Sequence, residues 1–293
     1  MFAKLSLEYV ASKDISLKAG NKNNLIRSAL GATLKRMDEM AYQMFFEGRL
    51  FELVGKKERV AMFAPDCQSG QKVFRLGDSF SFGLTLLGAN VAWSTYVQAF
   101  RAMFLEHGFE LKAVWAWSNV SDDNSRELVV LDNDAARAVS ELTIENLIDN
   151  YRIEQPIRQL QIQLITPLRL VRGAGFVEQP TFADVVFACA RRVENIYSTL
   201  SIGQAQPPAE FTGLAEASLG INSTSEVVWQ DWYRKQSRHG GQSMAMGGVV
   251  GMITATCDQL PYLNPFISLL KCGEFLHIGK GITMGNGGIK VSW

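Results

Sequence analysis

From Ala3 to Ala11 apolar and polar residues alternate (Ala-Lys-Leu-Ser-Leu-Glu-Tyr-Val-Ala), and a period of two predicts a half-buried β-strand. After Asn23 or Asn24, either of which suits a helix N-cap, the period lengthens. Leu25, Ile26, Ala29, Leu30, Thr33, Leu34 and Met37 fall at the i, i+3, i+4 spacing of an amphipathic helix. Its other face steps through Arg27, Gly31 and Lys35, which would let a polyanion reach the backbone at Gly31 between two cations. Residues 55–77 read as irregular strands and turns, 79–87 as a strand, and 91–107 as a helix stopped by Gly108. Residues 111–117 and 128–131 read as strands on either side of a polar turn, and the acidic stretch 133–158, with Pro156 near its end, marks a junction. Beyond it the pattern gives a strand (159–171), a helix (181–200), two strands (226–234 and 248–257), a helix (262–276) and a last strand (288–292). That is the β-α-β-β-α-β order of a ferredoxin-like domain, and it repeats the order of the first half. A connection from Gly203 to Ser225, rich in Ala, Gly, Pro, Ser and Thr, parts the first helix of this half from its second strand.

The 293 residues suit two domains of about 150 each, taken here as 1–156 and 157–293. With 47% hydrophobic and 20% charged residues the composition is globular, and no apolar run nears the roughly 18 residues that span a bilayer. The first residues lack the charged start and longer apolar core of a signal peptide, so a cytoplasmic protein with no membrane contact is expected. Cys67, Cys189, Cys257 and Cys272 have no CxxC spacing and predict neither a metal site nor disulfides. No His/Cys/Asp set has ligand spacing, and no cofactor is expected.

The chemistry concentrates at the C-terminal end. Gly279, Gly281, Gly285, Gly287 and Gly288 fall within ten residues, between an apolar helix and a short strand, with Lys280 and Lys290 adding charge. Glycine frees the backbone for positive φ and lets a ligand approach main-chain N–H groups. A nucleotide-triphosphatase loop runs strand to helix as GxxxxGK[ST]; here the order is reversed, which argues against ATP. Net charge is zero, but residues 1–60 and 231–293 together carry 17 basic against 10 acidic residues, so a basic groove would form if these ends met. The other reading of that excess is ordinary surface scatter.

The glycine loop resembles that of the repeat RNA-processing endoribonucleases of CRISPR systems, in the superfamily of repeat-associated RNA-processing proteins. The resemblance extends through Leu25-Ile-Arg-Ser-Ala-Leu-Gly-Ala-Thr-Leu34, Phe80-Ser-Phe-Gly-Leu-Thr-Leu-Leu-Gly88, Leu164-Ile-Thr-Pro-Leu-Arg-Leu170, and Trp232-Tyr-Arg-Lys-Gln-Ser-Arg238 followed by Met244-Ala-Met-Gly-Gly-Val-Val-Gly251. Each segment is a short apolar string with a few glycines; their order along nearly the whole chain carries the likeness. It implies an α+β fold of two tandem ferredoxin-like (RRM-like) domains, each an antiparallel sheet with helices on one face. It also implies metal-independent cleavage of repeat hairpins, in which the ribose 2′-hydroxyl attacks the adjacent phosphate to leave a cyclic phosphate and a 5′-hydroxyl. The partners implied are repeat or guide RNA and other CRISPR effector subunits.

Such a reaction needs a base near the 2′-hydroxyl, an acid near the leaving oxygen and cations near the phosphoryl oxygens. Many family members carry a histidine in or just after the first helix, whereas the histidines here are His107, His239 and His277. Arginine stays protonated and stabilises a dianionic transition state without accepting a proton. Arg27 and Arg36 are therefore assigned electrostatic roles, with Tyr42 as a candidate acid. Arg238 and His239 lie in a glycine-rich turn where a histidine titrates near neutral pH or is simply solvated. His107 reads as a helix C-terminal residue favoured by the dipole.

For RNA binding the candidates are Lys35, Trp232, Arg234, His277, Gly279, Lys280, Gly281, Thr283, Gly285 and Gly287. Trp229, Trp232 and Tyr233 interleave with Arg234 and Arg238 and suit stacking on unpaired bases. Strand neighbours alternate faces, so Trp232 shares a side with Arg234 and Tyr233 points away. His277, on an apolar helix end before the loop, reads more readily as a packed, hydrogen-bonded residue than as one that does chemistry. Three functions stay open: a repeat-cleaving ribonuclease that retains its product, a non-catalytic guide-RNA-holding subunit, and a protein that binds a small anion or another protein through the glycine loop.

Overall fold

The alternating segment at the start of the chain forms β1 (Phe2–Ala11), whose Leu5, Leu7 and Tyr9 are buried to 1% exposure or less. It is central in a sheet because it pairs antiparallel on both sides. In the computed structural model, which describes residues 2–17, 22–46, 63–67, 69–88, 93–119, 125–131, 140–200, 206–235, 243–259 and 262–293, β1 is followed by a two-residue β2 (Ile15–Ser16). Then come α1 (Lys22–Met37), α2 (Glu39–Phe45), β3 (Phe63–Asp66), β4 (Val73–Phe74), β5 (Ser79–Leu87), α3 (Trp93–Glu106), β6 (Phe109–Trp117) and β7 (Arg126–Leu131). The sheet order is β3-β5-β1-β6-β7, all antiparallel. Without the edge strand β7 this is the ferredoxin-like arrangement, β1-α1-β3-β5-α3-β6.

Ile26, Leu30 and Leu34 of α1 and Tyr96, Val97, Phe100, Met103 and Phe104 of α3 share a core with the inward residues of the sheet. Aromatic rings fill its centre, with Tyr9 stacked 5.9 Å from Phe82 and tilted by 38° at 4.3 Å from Phe104. Gly108 (φ 85) stops α3 in the left-handed conformation, as its position after the last apolar turn predicts.

The chain divides at Thr143/Ile144. The second unit runs α4 (Ile144–Asn150), β8 (Gln159–Leu168), β9 (Val171–Arg172), β10 (Gly175–Phe176), α5 (Phe182–Leu200), α6 (Leu214–Ala217), β11 (Asn222–Gln230), β12 (Tyr233–Lys235), β13 (Ser243–Ala245), β14 (Gly248–Thr256), α7 (Ile267–Leu276) and β15 (Ile289–Ser292). Its sheet order is β11-β14-β8-β15, antiparallel, with α5 and α7 supplying the two ferredoxin-like helices. Phe182, Val185, Val186 and Val193 of α5 and Leu269 and Leu270 of α7 are buried, as are Leu160, Ile162 and Leu164 of β8. Gly273 has no Cβ because one would strike Cys189 Sγ, so the glycine sets the approach of α7 to α5. Burial pushes the Cys189 thiol up to about 12, and with Cys67 and Cys272 also buried these are inert thiols. Among the described residues no helix is long and apolar enough to cross a membrane.

The structure departs from the sequence pattern in five places. The stretch read as a junction before 157 contains α4, which packs on α7 and so belongs to the second unit. The loop 203–225 contains α6 between single 3-10 turns at Ala209–Phe211 and Ser218–Gly220. The strand expected over 226–234 is two: β11 ends at Gln230, and β12 pairs with β13 as a separate ribbon. Asn23 does not cap α1; its buried side chain accepts from the Cys67 N–H at 2.7 Å, within the first turn of a helix that starts at Lys22. Leu25 and Met37 are about half exposed, at 49% and 51%, so the apolar stripe of α1 is narrower than its spacing predicts.

Candidate functional site

The glycine loop is built by turns that only glycine adopts easily. α7 ends at Leu276, whose carbonyl accepts from the buried Arg192 Nε at 3.2 Å. His277 follows at φ 55, an uncommon backbone for a side-chain-bearing residue, and its ring is 4% exposed with Nδ1 donating to the Asn286 carbonyl at 3.2 Å. The neck closes where Ile278 N–H meets the Gly287 carbonyl at 3.0 Å. Between them a 3-10 turn, Ile282–Met284, sits between Gly281 (φ 82) and Gly285 (φ 79), both left-handed. Met284 N–H donates to the Gly281 carbonyl and Gly285 N–H to the Ile282 carbonyl, each at 2.8 Å.

The end of β8 anchors the loop from outside. Gly287 N–H donates to the Pro167 carbonyl (3.1 Å), Gly288 N–H to Thr166 Oγ1 (2.8 Å) and Lys280 N–H to the Arg169 carbonyl (2.9 Å). Asn286, fully buried, donates from Nδ2 to the Met246 carbonyl at 3.2 Å and ties in the segment before β14. Among the described residues the amides of Gly279 and Gly281 donate no hydrogen bond. Gly279 and Lys280 are exposed, Gly281 and Thr283 half-buried, and Gly285 and Gly287 buried. The rim can therefore meet an anion through main-chain N–H and the Lys280 ammonium, while Gly285, Gly287 and His277 shape the loop from within.

A second group of predicted residues gathers at the α1–α2 corner. Asp38 caps α2 through Oδ1, which accepts from Ala41 N–H at 2.9 Å, and the turn folds α2 back on α1. Phe46 then covers Gly31: a Cβ there would lie 2.9 Å from Phe46 Cε1, so the open backbone expected at Gly31 is closed by a ring. Instead the cations flank aromatic rings. Arg27 lies 5.4 Å over Phe46, Phe46 stacks on Tyr42 at 5.6 Å with a 15° tilt, and Lys35 Nζ lies 5.6 Å over Tyr42. Arg36 is directed elsewhere, into an exposed ion pair with Glu106 at 2.7 Å.

Sequence reasoning missed Lys22, at the start of α1. Its Nζ donates to the Ser69 carbonyl at 2.6 Å and to the Gln71 carbonyl, and lies 5.7 Å over Phe74. Partial burial lowers its pKa. Only the folded chain brings residues 69–74 to it, so no local pattern signals this.

Trp232 lies between β11 and β12 rather than on a strand, half-buried, with Nε1 enclosed and unpartnered among the described residues. Tyr233 is 64% exposed. The alternation that was to pair Trp232 with Arg234 on one strand side therefore does not apply, because the strand is interrupted at Asp231–Trp232. The Arg238–His239 turn lies outside the described residues. Among the described residues no group of three or more His, Cys, Asp or Glu is placed to hold a metal ion.

Comparison with known proteins gives the same direction. Residues 162–289, from β8 to β15, match the family model described as CRISPR-associated endoribonuclease Cas6. No curated protein matches the chain in sequence. Among solved structures, a Cas6 of Thermus thermophilus is 14% identical with a TM-score of 0.58, covering 100% of this chain and 98% of that one. The same protein in its product complex gives 0.60 at 14% identity, with 100% of both chains covered. The partial Cas6-RT-Cas1–Cas2 complex gives 0.62 at 11% identity, covering 99% of this chain and 46% of that one. At these identities the structures establish the fold, two ferredoxin-like units in tandem, and with the family match they bear out the resemblance read from the ordered motifs.

Proposed function

We propose that this Cas6-type chain is an endoribonuclease that binds CRISPR repeat hairpins and cleaves precursor RNA through attack of the 2′-hydroxyl, leaving a 2′,3′-cyclic phosphate and a 5′-hydroxyl. The observation that carries the reading is the glycine loop between α7 and β15, pinned to β8 and presenting Gly279, Lys280 and Gly281 at its rim, inside the segment that matches the endoribonuclease family. The Arg27–Phe46–Tyr42–Lys35 cluster supports a catalytic corner without histidine. In this reading the attacking 2′-hydroxyl gives its proton to water, Arg27 and Lys35 neutralise charge on the phosphoryl oxygens, and the Tyr42 phenol supplies a proton to the leaving 5′ oxygen. Arg36 adds positive charge once released from Glu106, and Arg238 and His239 complete the candidate set. Trp232 and Arg234 contact the RNA beside the loop. Retained product would make the protein a guide-bearing partner of other CRISPR proteins, a role supported by the fold it shares with the Cas6-RT-Cas1–Cas2 complex.

One observation favours a second reading: no histidine lies in the first 106 residues. A guide-RNA-holding subunit without activity would need only the loop. The test is incubation of end-labelled repeat RNA in excess EDTA, beside the same RNA with a 2′-deoxy sugar 5′ of the cut. Cleavage that survives chelation and stops at the deoxy substrate supports the ribonuclease; tight binding with neither RNA cut leaves the holding role; no binding of either sinks both.

A further inference from the structure

Beside the glycine loop the second unit carries a cation–aromatic stack, of which only Trp229 was marked by the sequence and whose Arg169 and Phe176 were not. The carbonyl of Arg169 holds the Lys280 amide at the loop rim, so its side chain starts from the wall of the loop. Its guanidinium lies 4.0 Å from the Phe176 ring centre, and Phe176 in turn lies 6.0 Å from Trp229. Polar contacts lock each end. Arg169 donates to the Ala245 carbonyl at 2.8 Å, and Trp229 Nε1 to Asp231 at 2.7 Å. The hairpin that presents Phe176 is fastened as well, because Arg172 of β9 is ion-paired to Asp184 in the first turn of α5.

An apolar ring at the base of a short hairpin, opposite Val171, would ordinarily fold inward, yet Phe176 is 44% exposed, and Val171, Trp229, Tyr233 and Met244 are 37%, 37%, 64% and 42% exposed. Phe176 and Trp229 are fastened yet open to solvent, and Arg169 joins them to the loop: its carbonyl holds the Lys280 amide and its guanidinium lies over the Phe176 ring.

We infer that Phe176 and Trp229, backed by Arg169, form a stacking subsite for one unpaired nucleobase adjoining the nucleotide whose phosphate meets Gly279–Gly281. The inference rests on the RNA-binding reading above and deepens it by assigning single-stranded character to the RNA at this point. Stacking is tolerant of base identity, since each base offers a π-face, and the preset geometry lowers the ordering cost of binding. A duplex occupant is disfavoured because its bases are already stacked on one another.

The test uses the full-length protein and two RNAs, the repeat hairpin with its unpaired flanks and the hairpin trimmed of them, with 2-aminopurine placed in turn at each flanking position. Wild-type protein should quench one position and bind the flanked RNA more tightly. Phe176→Ala should weaken binding of flanked RNA about tenfold and abolish the quench, leaving trimmed-hairpin affinity unchanged. Phe176→Tyr should retain both properties, and matched urea midpoints exclude unfolding as the cause. Equal affinity of wild type and Phe176→Ala for flanked RNA, or equal weakening on both RNAs, overturns the stack while leaving RNA binding standing. Wild-type protein that binds neither RNA overturns the proposed function and the stack together.

Discussion

Gly213 and Gly287 share φ 76, and replacing each with alanine separates backbone strain from the packing that makes the glycine loop. An L-residue in the left-handed region costs about 1–2 kcal/mol, whatever surrounds it. At Gly213 a new methyl group meets nothing within 4 Å, so that strain is the whole effect. At Gly287 the methyl would overlap the Ile278 carbonyl oxygen, in a neck where Ile278 N–H bonds the Gly287 carbonyl (3.0 Å) and Gly287 N–H bonds the Pro167 carbonyl (3.1 Å). Backbone cannot swing away as a flexible side chain would, so relief opens both hydrogen bonds at about 1 kcal/mol each, for a total of about 3–4 kcal/mol. Urea unfolding at unchanged m should place Gly287→Ala about 2 kcal/mol below Gly213→Ala. Repeat-RNA affinity measured on the same proteins should fall at least about tenfold in Gly287→Ala only, the loss expected when one or two charge-assisted contacts are displaced. Equal stabilities would refute the neck as a strained closure. Equal affinities at unequal stabilities would refute the loop as the RNA cradle.

Arg27→Ala and Arg238→Ala should each abolish repeat cleavage in a gel assay, and full activity in both would remove the arginines from catalysis. Tyr42→Phe keeps the ring on Phe46 and deletes only the hydroxyl, so single-turnover cleavage should slow about 100-fold with binding unchanged, and an unaltered rate would exclude the phenol as proton donor. Asp184 tests electrostatics at the α5 start: burial raises its pKa, but Thr181 N–H, the Arg172 guanidinium and the Thr181 hydroxyl outweigh it and leave the carboxyl below its ordinary range. A depressed carboxylate adds stability above its unfolded pKa and loses it as pH falls through the folded value, so Asp184→Asn should cost about 1–2 kcal/mol at pH 7, with the gap closing in acid as the folded carboxyl is protonated. Urea midpoints at neutral and acid pH measure it, and a gap independent of pH would show that charge is not the cause.

The strands that were legible are those with one buried face. β1 runs as its alternation predicts, and β5 does so over its first half, because a slip of one residue would turn the apolar side chains to solvent, and register is fixed by that penalty. Gly108, Gly281 and Gly285 were legible for a related reason: the chain must turn where it has no side chain to clash. What failed depends on partners distant in sequence. Gly31 reads as an open glycine on a basic face until the Asp38 cap returns Phe46 over it. His277, by contrast, reads from its apolar helix end as a packed, hydrogen-bonded residue, and its buried ring against Asn286 agrees, although the φ of 55 that turns it there has no local signal. α4 hides because seven residues carry two apolar turns at most, and only contact with α7 identifies their side of the junction.

The pinned loop and the α1–α2 corner should divide the kinetics between them. Every turn of the loop is closed by hydrogen bonds within it or to β8, so its donors are set before RNA arrives and change little as the reaction proceeds. Contacts of that kind act equally on substrate and transition state, and they lower Kd without raising the rate of the bound complex. Cations and a phenol near the reacting phosphate act where charge develops, and they raise that rate. Gly281→Ala, whose methyl would lie 2.9 Å from Asn286 Nδ2, should therefore weaken repeat binding while saturated single-turnover cleavage keeps its wild-type rate. Arg27→Ala should do the reverse. If both variants lower the saturated rate alike, the loop contacts the reacting phosphate itself, and the assignment of catalysis to the α1–α2 corner falls.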